Sequence, residues 1–159
     1  MLLFIEGIAM CFVLLITCVI GIANGPVGLV VFYEQDVQDR VIELGYTTKK
    51  KIRKSFIITA IALFLPSILF VPMMVYGING ASTFWSGFWQ MSVIHWIAGL
   101  FDRLFIDWYW VGHSKAWIIP GTEDLRPYIP LKTLLGKWFS TIFVYPALAA
   151  LTAWIVALL

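Results

Sequence analysis

Charge is scarce in this sequence. Only 13% of its 159 residues are Asp, Glu, Lys or Arg, about half the share of a soluble domain. A soluble chain this poor in charge could not cover its surface with polar groups, so the expected solvent is lipid. Cysteine is nearly absent. Cys11 and Cys18 are the two, and seven residues along one helix separates them by about 10 Å, too far for a mutual disulfide. Neither has a cationic neighbour to make it a nucleophile. No glycine-rich phosphate loop opens a helix, and no His or Cys pair stands at metal-ligand spacing. The basic residues are not interleaved with exposed aromatics, which argues against nucleic acid as a partner. No cofactor is expected.

Long apolar runs fill the space that charge leaves. Hydrophobic residues make up 61% of the chain, with 8 Trp, 6 Tyr and 12 Phe. Four runs reach the roughly 20 residues that a bilayer requires, at about 2–32, 55–78, 84–112 and 138–159. They predict a single all-α domain, an integral-membrane four-helix bundle. The first run lacks a basic leading region and is too long for a cleaved signal peptide. Of the 11 Lys and Arg, six lie between the first two runs (Arg40, Lys49, Lys50, Lys51, Arg53, Lys54). Four lie between the last two (Lys115, Arg126, Lys132, Lys137), and Arg103 lies within the third. Basic residues stay on the cytoplasmic side. Both long loops are therefore expected in the cytosol and both termini outside, in a cell inner (plasma) membrane.

Neither loop reads as floppy. Val30, Val37, Val41 and Leu44 recur at helical spacing. Pro26, after Asn24-Gly25, is expected to kink the first helix before it resumes into the cytosol. Gly45 is a stop signal, and Thr47 or Thr48 caps the next helix. In the second loop Pro120-Gly121 marks a turn, and Thr122 is placed to cap Glu123–Arg126 before Pro127. Trp117, Ile118, Ile119, Tyr128 and Ile129 suit the membrane interface or a plug against the bundle.

The third run is the most informative. A charge at the centre of a membrane helix costs about 2.5–3.5 kcal/mol on insertion scales, yet this run carries His95, Asp102, Arg103 and Asp107, with His113 at its end. At 100° per residue, His95, Gly99, Asp102, Ile106, Tyr109 and His113 share one face, and Arg103 and Asp107 lie on the adjoining one. Arg103 and Asp107, four apart, form an ion pair. That leaves Asp102 in need of a partner from another helix, a proton or a ligand. Gly99 would let a neighbouring backbone approach closely. At 1.5 Å per residue, Asp102 lies about 25 Å below Trp85 and Asp107 roughly one and a half turns deeper, and Asn24, counted from Leu2, reaches about the level of Asp107.

The candidate ligand-binding residues are therefore Asn24, His95, Asp102, Arg103, Asp107, Tyr109 and His113, near the cytosolic leaflet. The expected function is binding or transport of a polar or lipid-like small molecule. The alternatives are a membrane-embedded enzyme acting on a lipid or isoprenoid, and an accessory subunit of a membrane complex. Membrane lipids are expected partners, and a homo-oligomer is compatible with the small interior of four spans. The run Gly99-Leu100-Phe101-Asp102-Arg103 resembles a fragment of the Asp-Arg motif of lipoprotein signal peptidases. Those enzymes take a second catalytic aspartate from their last helix, and Trp138–Leu159 contains no acid, so that reading is set aside.

Overall fold

The computed structural model describes residues 1–158. Among them there is no strand. Six α-helices follow in order: α1 (Leu2–Ile22), α2 (Gln35–Glu43), α3 (Lys49–Pro72), α4 (Phe84–Phe101), α5 (Leu131–Phe139) and α6 (Tyr145–Ala157). Three helical stretches are long and apolar enough to cross a membrane: Leu2–Ile22, Lys49–Ile78 and Leu131–Ala157. The all-helical expectation holds, and length with composition marks three candidate spans among the described residues. α4 runs on as a π-helix over Asp102–Val111, so it is as long as the others. Its Gln90, His95, Asp102, Arg103 and Asp107 keep it out of the apolar set.

Proline and glycine explain where the helices depart from ideal form. The expected kink in the first run is a full break. Gly25 adopts φ +102°, a conformation that disfavours other residues, and Pro26 then opens a 3-10 helix, Pro26–Phe32. Two wide π segments adjoin prolines: Met73–Ile78 follows Pro72, and Ser140–Val144 precedes Pro146. A proline removes an amide donor and crowds the preceding turn, and a π turn relieves that crowding inside a continuing helix. The π-helix at Asp102–Val111 contains no proline.

α4 is the centre of the packing. It lies against α1 on one side and α6 on the other; α1 also packs on α3, whereas α3 and α6 barely touch. Small residues bring these helices close. A Cβ on Gly7 would meet Ile97 at 2.7 Å, and one on Gly99 would meet Thr141 Cγ2 at 2.7 Å and Tyr145 at 2.9 Å. Ala98, Ala149 and Ala153 are buried at the same contact. Between apolar helices in lipid, such close van der Waals packing is the main attraction available. Glu6 and Asn79 mark one end of the bundle, with Asn79 Nδ2 donating to Glu6 Oε2 at 2.8 Å.

At the other end the two connecting segments fold together. Leu29, Val30, Tyr33, Val37, Val41 and Ile52 from the first share a core with Trp117, Ile119 and Tyr128 from the second and with Ile106 and Val111 beneath. Of the two positions expected for the second segment, it takes the plug. Tyr33 stacks on Tyr128, ring centres 4.6 Å apart, and donates to the Trp117 carbonyl at 2.9 Å. Burial, with Tyr128 adding to it, pushes the Tyr33 phenol above its usual range, so it remains a donor. Thr122 does not cap the short helix after it. Its hydroxyl donates to the Ile119 carbonyl at 2.8 Å and meets the Tyr128 hydroxyl at 2.8 Å. Gly45, at φ +77°, ends α2 as expected: its amide bonds Ile42 and the Tyr46 amide bonds Val41. Thr48 is the cap of α3, accepting from the Lys51 amide at 3.3 Å.

The close α4–α6 approach makes a direct prediction. Gly99→Ala should destabilise the protein by about 1–3 kcal/mol through overpacking. Thr141→Ser, which removes the nearest methyl, should restore part of the loss. Thermal denaturation in detergent checks this, and an unchanged midpoint for Gly99→Ala would contradict the packing described.

Candidate functional site

The charges of α4 are paired with one another and with the last helix. The guanidinium of Arg103 bonds both aspartates, Nη1 to Asp107 and Nη2 to Asp102. The second Asp107 oxygen accepts from Lys137 Nζ at 2.7 Å. Two acids and two bases thus form a neutral quartet. The Arg103 and Asp107 side chains are 7% and 5% exposed, and those of Asp102 and Lys137 20% and 25%. Pairing is what makes such burial tolerable, because an ion taken out of water alone costs several kcal/mol. Asp102, expected to lack a partner on its own helix, has Arg103 beside it.

An α-helix would set Asp102 on the face of His95, Tyr109 and His113. From Asp102 onward the helix is wider, with Arg103, Ile106, Asp107 and Val111 buried, and Tyr109 leaves that face. Tyr109 is exposed at 56% and lies among Phe105 and His113. His113 is exposed, its Nδ1 2.8 Å from the Trp108 carbonyl.

Three cavities adjoin the quartet in sequence. A mouth of about 220 Å³ lies at the loop end, lined by Asp107, His113, Arg126, Tyr128 and Ile129 among others. A middle cavity of about 200 Å³ meets all four charges, along with Tyr33 and Tyr145. An inner cavity of about 120 Å³ is lined by His95, Ser67, Asp102 and Tyr145, with apolar side chains completing its wall. Asp107 borders the first two; Asp102 and Tyr145 border the last two.

The structure therefore brings together His95, Asp102, Arg103 and Asp107, and sets His113 at the rim. Asn24 is exposed in the turn after α1 and lines none of the three cavities, nor does Tyr109. Lys137 and Tyr145 were missed by the sequence reading. Lys137 counted only as an orientation signal, yet Lys137, Thr141 and Tyr145 recur every four residues, and Thr141 donates back to the Lys137 carbonyl at 3.1 Å. That polar stripe on the last run was the available clue. Several buried polar atoms have no partner: both ring nitrogens of His95 and Nε of Arg103 are among them. Among the described residues, no three His, Cys, Asp or Glu side chains converge as a metal site. Comparison with protein-family models, curated proteins and solved structures found no match.

Charge balance predicts a pattern of stabilities. Asp107→Asn and Lys137→Met each leave the quartet with one uncompensated charge, and each should lower the melting midpoint. The double variant is neutral again and should melt above the weaker single variant. Arg103→Leu leaves Asp102 with no cation and Asp107 with Lys137 alone, and should cost the most, about 3–5 kcal/mol. Additive losses in the double variant would show that the four groups do not act as a unit.

Proposed function

We propose that this chain is a small polytopic membrane protein that binds or transports a polar or lipid-like small molecule at the charged quartet. In this reading α4 with its π extension is a fourth span. Both connecting segments lie in the cytosol, both termini outside, and the quartet sits near the cytosolic leaflet. The observation that carries the reading is a desolvated set of ionic groups bordered by cavities on both sides. A purely structural ion network gains nothing from adjoining space, and intramembrane charge is otherwise disfavoured. The exposed Phe4, Phe12, Phe56, Phe64, Phe70, Phe139 and Phe143 suit contact with lipid chains.

The alternative of an enzyme working through Asp102 or Asp107 with His113 has less support. Both Asp107 oxygens are engaged by cations, and Asp102 is held by Arg103. A general acid or base needs a free proton position in reach of its substrate.

Native mass spectrometry of the gently solubilised protein tests the binding reading. The wild type should retain a small-molecule or lipid adduct. Asp102→Asn should lose it while remaining folded, its midpoint lowered no further than that of Asp107→Asn. A bare wild-type protein that co-purifies with a second protein at fixed stoichiometry would instead make it an accessory subunit. The topology is checked separately, in a background lacking Cys11 and Cys18. An impermeant maleimide applied to intact cells should label Ser82→Cys and leave Lys115→Cys unlabelled; the reverse pattern would invert the orientation.

A further inference from the structure

The inner cavity holds an unsatisfied histidine at the middle of the bundle. His95 is 5% exposed, and neither ring nitrogen has a hydrogen-bond partner. Leaving a buried donor or acceptor unmet costs about 1–3 kcal/mol each. A group that enters the cavity and bonds the ring recovers that energy. The rest of the wall is mainly apolar, with Met10, Val13, Leu63, Phe64 and Leu148 contributed by α1, α3 and α6.

Two features bear on what fits there. The first is charge. Arg103 and Lys137 border the middle cavity and not the inner one, so a carboxylate or phosphate would enter without a counter-ion. A quaternary ammonium would meet only Asp102, already engaged by Arg103. The head is therefore uncharged. A hydroxyl can donate or accept, as the neutral imidazole also can, one role on each ring nitrogen. The second feature is access. α3 and α6 touch only slightly where they flank the cavity, far less than α4 touches α1 or α6. Phe64 borders the cavity while 57% exposed on the outer surface. The wall of the cavity thus reaches the surface that faces lipid. A volume of about 120 Å³ takes the share of about four water molecules, enough for a hydroxyl head and its first carbons. The remaining chain would lie along the α3–α6 seam.

We propose that the inner cavity admits from the bilayer, between α3 and α6, the uncharged hydroxyl head of a single-chain amphiphile such as a long-chain alcohol or monoacylglycerol, with His95 as its hydrogen-bonding partner. This rests on the binding reading given above and names its ligand class. The head donates its hydroxyl proton to the unprotonated ring nitrogen of His95, a bond that a methyl ether cannot make, and a second hydroxyl or a water accepts from the other nitrogen.

The test uses the full chain in phosphatidylcholine nanodiscs with a photoactivatable hexadecanol as probe. The same chain as a methyl ether and as a carboxylate provides the controls. Labelled peptides are mapped by mass spectrometry. The alcohol should label the segments around Leu63–Ser67 and Tyr145–Leu148, and monoacylglycerol should compete. The ether and the carboxylate should label there about tenfold less, the scale of one lost buried hydrogen bond. His95→Phe should reduce alcohol labelling to the level of the ether, and His95→Gln should retain most of it. Should His95→Phe fail to fold, Leu148→Trp, which fills the cavity from α6, gives the same loss of label without touching the histidine. Equal labelling by all three probes, or no response to His95→Phe and Leu148→Trp, would mean ordinary lipid contact and overturn the proposal. Absence of alcohol label would leave a cavity filled by water and overturn it as well. In either case an adduct in the native spectrum that still depends on Asp102 would keep the binding reading intact, whereas its absence would remove both.

Discussion

A guanidinium held between two carboxylates inside an apolar bundle is the constraint on which the rest of this structure depends. Arg103, Asp102 and Asp107 cannot face lipid, so α4 must take the interior position with α1 and α6 against it. That position demands small residues at the contacts, and Gly99, Ala98, Ala149 and Ala153 supply them. The second carboxylate needs a second cation, which fixes the rotation of the last helix so that Lys137 points at Asp107. Arg103 and Asp107, four residues apart, are both buried along the π segment.

The loop end is a separate solution to a related problem. Charged groups near a bundle end are weakened by water, and here a small apolar core stands over them. Tyr33, Trp117, Ile119 and Tyr128 are nearly inaccessible. The Thr122 and Tyr128 hydroxyls bond within the layer itself, while the Trp117 indole nitrogen has no partner there. The Arg40–Asp124 pair on its outer surface, 3.4 Å apart and exposed, adds little by comparison, as exposed pairs generally do. Packing rather than surface charge therefore holds the segment in place.

Much of this was legible beforehand. Apolar runs, proline, glycine and threonine signals marked the helices, the end of α2 at Gly45 and the cap at Thr48 because each acts locally. The unusual cost of charge singled out Asp102, Arg103 and Asp107. Tyr109 and Asn24 lie apart from the other candidates for different reasons. Tyr109 follows an ideal periodicity that a proline-free π-helix does not obey. Asn24 was assigned by depth alone, and it stands exposed in the turn before Gly25. Lys137 escaped notice because its partner lies in another helix, and pairing across helices leaves no trace in local spacing. The aromatic layer was anticipated as a set of apolar residues but not as a stack, since Tyr33 and Tyr128 meet only after both segments have turned back over the bundle.

The Asp107–Lys137 contact also bears on how such a protein is made. Synthesis proceeds from the N-terminus, and the two residues are 30 positions apart. When α4 leaves the ribosome, Arg103 can neutralise only one of its two acids, and the compensating lysine does not yet exist. A segment carrying an excess negative charge partitions poorly into hydrocarbon on its own. In the four-span topology proposed above, α4 would wait beside the already inserted α1, or within the insertion machinery, until the last helix arrives. Its integration would then be a joint event of two helices, and a chain stopped before Lys137 would hold α4 short of its final depth.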